Sequence, residues 1–580
     1  MIQLWRCAQF ALPLFLFFGC GDSGGDGPAD ATPDTGMDAP AGDVSVPDAS
    51  PPDASLPQDI CDRLGLPRAE FQADMTGNSF GDLAGDFTVD EVGGGQWSLA
   101  EEWTGCESYV FLTYFAGGRG DELFRTLPDD FFREGPENVH YFFTSYENDA
   151  AARTTRMERL QSDVEEGLML HFGDDADARE SWMQRMHFVT NKVEAIPGSI
   201  GRFMNTYIAY IQTEESIVDL GMRGQARAPA PYVLGIARDQ TFDAGGTLSP
   251  SVGMPYHFKM ARFLPDFYNH RAALRTRLAA EEGVTEIELM DEDVTDRIFV
   301  RTVMLPDATA MSAVDTLEFD IAITCSEGNP LACSEWDRIA RIEWCADAEC
   351  SSRQEVVRWI TPYWRRGRRR WAVDASPFLA LMRAGGEQTF RIEMGPGWER
   401  ATQRRSDMSL RLSTRGGDHN SYGVQYAFGG GSFGAEYNTR EPVAFTPPAD
   451  ATRVEVVYIL SGHGQNGGNN CAEWCDHRHQ FTVNGTDLPR IQHEPFGSGI
   501  GSVDGCGEMA SQGNIPGQWG NWAPERAYWC PSLPLDAKRM DITSLVRLGE
   551  ANELTYQAFY RSGAPQGGSI ALSSYVIWYN

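Results

Sequence analysis

Residues 317–323, LEFDIAI, place an apolar side chain at every second position. Because successive side chains of a β-strand point to opposite sides of the sheet, this alternation predicts a strand with one buried face. The same alternation occurs in residues 408–412, and residues 454–460 and 575–579 are further strand candidates. Asn484-Gly485 has the composition of a tight hairpin turn. Short strands separated by glycine-rich turns predict a mainly β structure from residue 285 onward.

An internal repeat divides this β region into two related halves. The sequence CSEWD at residues 333–337 matches CAEWC at residues 471–475 in its Cys-x-Glu-Trp part. Further along, VDASPF at residues 373–378 is similar to MDITSL at residues 540–545. Two matches in the same order favour a repeated topology. We therefore predict two tandem antiparallel domains, either sandwiches or jelly rolls, over residues 285–430 and 431–580.

Residues 61–255 have a different pattern, in which predicted strands and helices are mixed. Strands are expected at residues 109–115 and 139–144, helices at 121–132 and 149–167, and a late strand after the proline turn at 229–231. This order resembles a thioredoxin-like α/β domain, and an unrelated α/β or α+β domain is the alternative. The redox Cys-x-x-Cys is missing, so such a domain would be redox-inactive. Residues 256–284 predict a helical connector.

The first 60 residues predict an export signal followed by a tether. A short apolar run at residues 10–18 ends in Gly19-Cys20, which resembles a bacterial lipoprotein signal over residues 1–20 with Cys20 as the lipidated residue. An ordinary secretory signal is the alternative. Residues 21–60 are rich in Asp, Pro and Ala and predict a disordered stalk. We therefore expect a lipoprotein of the bacterial cell envelope, at the outer membrane or the cell surface, whose only membrane contact is the lipid.

Composition excludes several classes of function. The formal net charge of −34 over 580 residues argues against a nucleic-acid or anionic-membrane binder, since such proteins need a cationic surface. Twelve cysteines are present, and ten remain after Cys7 and Cys20 are set aside. An even number of cysteines in an exported chain indicates disulfides.

Acidic residues beside tryptophan and arginine are the distinctive chemical feature of the β region. Asp337 lies between Trp336 and Arg338, and Glu473 precedes Trp474. Indole faces suit the apolar faces of sugar rings, whose hydroxyl groups need polar partners. Two carboxyl groups close together in such a cleft would have different pKa values, so that one donates a proton while the other stays charged.

Five motifs, in order along residues 285–580, resemble the peptide-N-glycosidase F family. They are CSEWDR at 333–338, WITPYW at 359–364, CAEWC at 471–475, NWAPERAYWCP at 521–531 and SSYVI at 573–577. The resemblance implies two eight-stranded jelly rolls side by side, an active site at their interface, and no metal or cofactor. It also implies an amidase that hydrolyses the bond between asparagine and the innermost N-acetylglucosamine of N-linked glycoproteins or glycopeptides. We expect a monomer.

The same resemblance assigns roles to individual residues. Asp337 falls on the principal catalytic aspartate, as nucleophile or acid/base, and Glu473 falls on the second essential acid. The expected substrate-binding residues are two cleft arginines and a set of wall tryptophans: Arg338, Arg526, Trp336, Trp364, Trp398 and Trp474. The implied disulfides are Cys325–Cys333, Cys471–Cys475 and Cys506–Cys530, which leaves Cys345–Cys350 and Cys61–Cys106 as additional pairs.

Two departures from the family pattern leave other functions open. The third cleft glutamate of the family falls on Gly395 or Pro396, with Glu393 and Glu399 as the nearest acids, and His463 replaces a tryptophan. A lipoprotein that binds glycans without cleaving them is therefore one alternative. A copper monooxygenase with paired jelly rolls is another, with His477 and His479 as ligands on one strand face. A thioredoxin-like redox or chaperone function is disfavoured by the missing Cys-x-x-Cys.

Overall fold

The computed structural model of the chain describes residues 59–116, 118–125, 130–205, 232–251, 254–294, 297–325, 336–363, 367–395, 404–417, 420–464, 471–492, 503–518, 520–560 and 567–580. The expected signal and lipidation site and residues 21–58 of the expected tether lie outside these residues, and so do Cys333, Trp364, Pro396 and Trp398. No helix of the described part is both long and apolar enough to span a bilayer.

The N-terminal region is a mixed α/β domain built on a five-stranded sheet. Its strands are β3 (Ser108–Tyr114), β4 (Val139–Ser145), β5 (Met186–Lys192), β6 (Tyr232–Ile236) and β7 (Phe242–Thr247), preceded by the hairpin of β1 (Thr88–Asp90) and β2 (Gln96–Ser98). The order is β5-β4-β3-β6-β7. Strands β3, β4 and β5 run parallel to one another, whereas β6 is antiparallel to both of its neighbours, β3 and β7. Every residue of β3 and β4 is buried, as expected for central strands covered on both faces. The thioredoxin-like assignment stays a prediction.

Several helical segments accompany this domain, six of which are α-helices bounded within the described residues. They are Ile60–Arg63, Gly118–Leu123, Asp130–Glu134, Ala150–Phe172, Ala176–Met183 and, after the last strand, Lys259–Ala280. The Asp149 and Asp175 side chains accept hydrogen bonds from backbone N–H groups in the first turns of the fourth and fifth. The last helix lies within the connector expected at residues 256–284.

The first β-sandwich consists of two four-stranded sheets around a shared core. Its strands are β8 (Thr285–Val294), β9 (Ile298–Asp307), β10 (Thr316–Cys325), β11 (Ile339–Cys345), β12 (Arg353–Ile360), β13 (Gly367–Asp374), β14 (Gly385–Glu393) and β15 (Arg404–Ser413). One sheet has the order β13-β10-β15-β8, and the other has the order β12-β11-β14-β9. Phe319 of β10 meets Phe390 of β14 edge-to-face across the core, 6.0 Å between ring centroids. The apolar side chains of residues 317–323 are buried as predicted. The opposite face is buried as well, because Glu318 and Asp320 pair there with arginines, so β10 has two buried faces instead of one.

The second β-sandwich repeats this plan. Its strands are β16 (Ser421–Ser432), β17 (Val443–Phe445), β18 (Arg453–His463), β19 (His477–Val483), β20 (Thr486–Asp487), β21 (Ile491–Gln492), β23 (Lys538–Asp541), β24 (Asn552–Tyr560) and β25 (Ser569–Tyr579), while β22 (Pro534–Leu535) joins β12 of the first sandwich. One sheet has the order β23-β18-β25-β16, which matches β13-β10-β15-β8. The other contains β17-β24-β19-β20, with β21 also paired to β19.

The repeat extends to individual hydrogen bonds. Asp374 accepts a hydrogen bond from the backbone N–H of Ser376 (2.9 Å), and the Ser376 hydroxyl accepts one from Leu317 N (3.1 Å). In the same way, Asp541 accepts a hydrogen bond from the backbone N–H of Thr543 (2.8 Å), and the Thr543 hydroxyl accepts one from Val454 N (2.9 Å). The two sequence matches at residues 373–378 and 540–545 therefore occupy equivalent places.

The mainly β, sandwich-like organisation is confirmed, with two differences in detail. The second sandwich has nine strands among the described residues instead of eight, because β20 and β21 are short segments that both pair with β19. Strand β16 crosses the expected boundary at residues 430/431 and pairs with β25 throughout. Glycines 429–431 lie at irregularities of this pairing, and a side chain at Gly430 would overlap the Ile570 carbonyl oxygen at 1.9 Å.

A buried ion pair lies where the two sandwiches meet. Arg358 and Glu355, both on β12, have side chains 1% and 3% exposed and are joined by two hydrogen bonds of 2.6 and 2.7 Å. The second sandwich completes their hydrogen bonding through the Ser461 hydroxyl, the Ala571 carbonyl and the Ser573 hydroxyl. Because both charges are fully enclosed, this junction fixes how the two sandwiches pack.

Candidate functional site

Asp337 lies immediately before β11, at the end of the sandwich that faces the second sandwich. Its neighbours are clamped to the end of β12 by Thr361. The Thr361 hydroxyl donates to Trp336 O (3.0 Å) and accepts from Arg338 N (2.8 Å), and Thr361 N donates to Arg338 O (2.8 Å). The backbone on both sides of Asp337 is therefore fixed by one residue.

Glu473 is held in the equivalent connection of the second sandwich, between β18 and β19. It lies in the single-turn helix Cys471–Trp474, which the Cys471–Cys475 disulfide closes at a Cα–Cα distance of 4.6 Å. His477 Nε2 donates a hydrogen bond to Ala472 O (2.8 Å), and Gly464 N donates to Glu473 Oε2 (2.8 Å). The carboxylate is thus positioned by the disulfide, a histidine and a backbone amide.

Arg526 joins the two acids. Its Nη2 lies 3.4 Å from Asp337 Oδ2, and its Nε donates to Glu473 Oε1 at 3.2 Å. Nη2 also donates to the Tyr363 hydroxyl at 3.1 Å. Acids from two different sandwiches therefore share one guanidinium group.

The guanidinium group of Arg526 is completely enclosed. Its side chain is 0% exposed, whereas those of Asp337 and Glu473 are 13% and 14% exposed. Nη1 and Nη2 donate to the carbonyl oxygens of Pro524 (2.9 Å) and Asn521, and the rings of Trp474 and Trp529 each lie 4.8 Å from Cζ. Arg526 therefore holds the acids in place, and only the acids are open to a ligand.

Burial controls the protonation of this cluster. It raises the pKa of Asp337 above the usual aspartate value, while Arg526 opposes that rise. Burial likewise raises the pKa of Glu473, with a further rise from Asp337 and an opposing effect of Arg526. Both carboxyl groups can therefore hold a proton closer to neutral pH than exposed acids can.

Tyr363 is a member of the cluster that the sequence analysis did not select. Its side chain shares a hydrogen bond with Asp337, and burial followed by the Asp337 charge raises the pKa of Tyr363 well above its usual value. Tyr363 N donates to Gln518 Oε1 (3.0 Å), so the loop before Arg526 holds it. The available signal was its position inside the WITPYW motif at residues 359–364.

The other predicted site residues are spread around this cluster. Trp336 is 48% exposed at the rim, with Arg338 Cζ 6.0 Å from its ring centroid. Trp474 packs on Arg526. The positions of Trp364 and Trp398 lie outside the described residues.

Gly395, one of the two positions predicted for the family's third acid, lies next to arginines, while the other, Pro396, lies outside the described residues. A Cβ atom at Gly395 would lie 3.5 Å from Arg297 Nη1 and 3.6 Å from Arg338 Cβ. The nearby Glu393 instead accepts a hydrogen bond from Arg391 Nη1 (2.9 Å) and lies 3.7 Å from Arg341 Nε. In this structure Glu393 belongs to an ion-pair network on the sheet and does not join Asp337 and Glu473.

His463 packs behind the cluster. Its ring stacks on Trp529 with centroids 4.9 Å apart, and its Nε2 is hydrogen-bonded to the Ser461 hydroxyl at 2.8 Å. Burial, followed by the charges of Arg358 and Arg526, lowers the pKa of His463 to about 3. A neutral imidazole therefore fills this position.

His477 and His479 form a buried hydrogen-bonded chain. His477 Nε2 must carry a proton because it donates to a carbonyl, so a neutral His477 accepts at Nδ1 from His479 Nε2 (2.8 Å). His479 Nδ1 then accepts from the Tyr556 hydroxyl, which lies 3.1 Å from the Tyr437 hydroxyl. All four imidazole nitrogens are engaged, and the described residues contain no cluster of three or more metal-ligand side chains. The arrangement favours structural histidines over the copper ligands considered above.

Four disulfides are present among the described residues. They are Cys61–Cys106, Cys345–Cys350, Cys471–Cys475 and Cys506–Cys530, the pairs expected from the sequence. The partner expected for Cys325, Cys333, lies outside the described residues.

Residues 434–577 match the family model described as "Peptide-N-glycosidase F, C terminal". A curated relative, peptide-N(4)-(N-acetyl-beta-D-glucosaminyl)asparagine amidase F of Elizabethkingia miricola, is 24% identical over 282 residues, which are 46% of this chain and 75% of the relative. The C-terminal half of this chain resembles peptide-N-glycosidase F. The resemblance predicted from the five motifs is thus confirmed.

Two solved structures each match about half of the chain. PNGase F, a glycosylasparaginase from Flavobacterium meningosepticum, is 21% identical with a TM-score of 0.40 and covers 52% of this chain and 96% of its own. PNGF-II is 11% identical with a TM-score of 0.41 and covers 53% of this chain and 67% of its own.

Proposed function

We propose that this protein is an amidase that hydrolyses the asparagine–N-acetylglucosamine bond of N-linked glycoproteins or glycopeptides. The reaction would release the intact glycan as a glycosylamine and leave aspartate in the peptide. The observation that carries the proposal is the meeting of Asp337 and Glu473, from different sandwiches, on the buried guanidinium group of Arg526. A curated relative named for this reaction is 24% identical to this chain over 282 residues.

The chemistry of amide hydrolysis explains why such a pair is useful. The carbonyl is stabilised by resonance and the nitrogen leaves poorly, so water must be activated and the nitrogen must receive a proton. We assign the central reacting carboxyl group to Asp337, because burial raises its pKa and Tyr363 hydrogen-bonds to it. Glu473 positions the sugar, and the nearby Asp337 charge adds to the rise that burial causes in the pKa of Glu473.

Arg526 has a positioning role in this proposal. Its donors are used by Glu473, Tyr363 and two backbone carbonyls, and its side chain is fully buried. It keeps the two acids at a fixed separation and limits the rise of their pKa values. Arg338 and the exposed Trp336 are then the cleft residues that contact the glycan.

The test is glycan release by the full chain from a denatured N-glycoprotein. Released glycans and the conversion of asparagine to aspartate are measured by mass spectrometry. Asp337→Asn should lower the rate by about a thousandfold, because proton transfer by a positioned carboxyl group is worth that order of rate. Glu393→Gln, which alters an acid outside the cluster, should retain the wild-type rate. Release by Asp337→Asn at the wild-type rate would show that Asp337 is not the reacting group.

A glycan-binding protein without catalysis is the second candidate. The observation that favours it is the glycine at 395 beside Arg338, because Gly395 and Pro396, the two positions predicted for the family's third acid, both lack a carboxyl group. Wild-type protein that retains a glycopeptide on a column and leaves its mass unchanged would support this candidate over the amidase.

A further inference from the structure

The N-terminal domain packs directly on the loop that carries Arg526. A side chain at Gly246 of β7 would overlap the Gly517 carbonyl oxygen at 1.9 Å, and Thr247 N donates to that oxygen at 3.1 Å. Two residues further, the Ser249 carbonyl accepts from Trp522 Nε1 (2.9 Å). The Pro250 carbonyl accepts from Ala523 N (3.1 Å). Backbone atoms of the N-terminal domain thus pair with the segment just before Arg526.

The helix Lys259–Ala280 strengthens the same contact. Lys259 Nζ lies 2.6 Å from Asp504 Oδ2, and Arg262 pairs with Glu508. Phe263 meets the fully buried Trp522 edge-to-face, and a side chain at Gly507 would lie 2.5 Å from the Phe263 ring. Cys506 N in turn donates to Ala523 O (2.8 Å). The loop is therefore enclosed between the N-terminal domain and the second sandwich.

These contacts lead to the acids in two steps. Residues 521–524 are held on one side by Ser249 and Pro250, and on the other side the carbonyl oxygens of Asn521 and Pro524 accept from Arg526. Arg526 then contacts Asp337 and Glu473. A movement of the loop would displace the only guanidinium group that the structure places on both acids among its described residues.

We propose that the N-terminal α/β domain is a structural part of the catalytic site, which positions Arg526 by holding Gly517 and residues 521–523 in place. The proposal rests on the proposed function for its consequence in catalysis. Its structural content, the restraint of the loop by the N-terminal domain, is independent of that function. Trp522 and Gly246 are positioning residues in this view, because neither contacts the acids.

Substitutions in the full chain, each paired with a control, test whether the N-terminal domain holds this loop in place; we call this set of contacts the brace. Gly246→Ala pushes β7 against Gly517, and its control is Gly81→Ala, a glycine of the same domain with positive φ and no atom within 4 Å of an added Cβ. Trp522→Phe removes one hydrogen-bond donor while keeping a ring, and its control is Trp97→Phe in the separate core of the N-terminal domain. Because Trp522→Phe loses only one hydrogen bond and keeps an aromatic ring, it can still be tested if Gly246→Ala fails to fold.

The first measurement is hydrogen–deuterium exchange of the amides in residues 521–530, which needs no activity. We expect exchange about tenfold faster in Gly246→Ala and Trp522→Phe than in their controls, because local opening controls amide exchange. Unchanged protection in both variants would overturn the proposal. If the wild type releases no glycan, this measurement still decides whether the brace exists.

The second measurement is the pH dependence of glycan release. Arg526 opposes the rise of the pKa of both acids, so a displaced Arg526 should move the acidic limb of the rate profile to higher pH. A variant that is merely less stable would release glycan more slowly at every pH, and the acidic limb of its rate profile would stay at the same pH. The charged and titratable groups acting on Asp337 and Glu473 are Arg526, Arg338, Tyr363 and each other, and the paired variants alter none of them. A lower rate with an unshifted profile would contradict the role of the brace in positioning Arg526.

Discussion

The two sandwiches have the same strand order, and the equivalent connection in each sandwich carries a different acid. The connection from β10 to β11 carries Asp337, and the one from β18 to β19 carries Glu473. When the two Cys-x-Glu-Trp motifs are superimposed by sequence, Asp337 coincides with Cys475, not with Glu473. The repeat therefore determines where each acid emerges, and the residue within the motif determines what it can do. The motif glutamate is present in both connections, at 335 and 473, so the two motifs differ at the position that holds Asp337 in one and Cys475 in the other.

The largest difference between the sandwiches should appear in their buried ion pairs. Glu355→Gln leaves Arg358 enclosed and without a charged partner, so the free energy of unfolding should fall by about 3 kcal/mol or more. The matched change in the second sandwich, Glu455→Gln, affects Arg539, whose side chain is 23% exposed and can be solvated. Its cost should be about 1 kcal/mol or less. Urea unfolding of both variants measures the difference, and equal losses would mean that the junction does not depend on this pair.

A smaller effect should appear in how the free energy of unfolding depends on pH. Because burial raises the pKa of Asp337 and of Glu473, the folded protein binds protons more tightly than the unfolded chain. The stability from these groups is therefore present below the ordinary carboxyl pKa of about 4 and is lost as the pH rises through the higher folded value. Asp337→Asn should gain stability relative to wild type as the pH rises. Urea unfolding at acidic and neutral pH would reveal this, and a constant difference would contradict a raised pKa for Asp337.

The smallest effect tests the equivalence of the repeat. Asp374→Ala and Asp541→Ala each remove one acceptor of a backbone N–H group at the same place in the two sandwiches. Each should lower the free energy of unfolding by about 1 kcal/mol. Thermal unfolding of both variants measures the losses. A difference of severalfold would show that the hydrogen bonds, although equivalent in geometry, are not equivalent in energy.

Much of the site was predictable because its residues lie in local motifs. Asp337, Glu473 and Arg526 were selected from short sequences, and the alternation in residues 317–323 predicted a strand of the first sandwich. Tyr363 was missed because its place in the WITPYW motif does not by itself separate a tyrosine of the acid cluster from a core tyrosine. Its hydrogen bond to Asp337 depends on the loop around Gln518, which is 155 residues away in the chain. The role of Gly246 depends similarly on Gly517.

The family resemblance, and not a local pattern, implied the cysteine pairs. The amino-acid sequence by itself determined the two-sandwich plan and the acidic and aromatic motifs. Those features arise from period-two burial and from residues that are neighbours in the chain, so local patterns record them. Only the tertiary structure decided that two acids from different sandwiches share one buried arginine, and that the N-terminal domain braces the loop holding it. The physical reason is that burial, and with it the pKa of each acid, depends on atoms that fold in from distant parts of the chain.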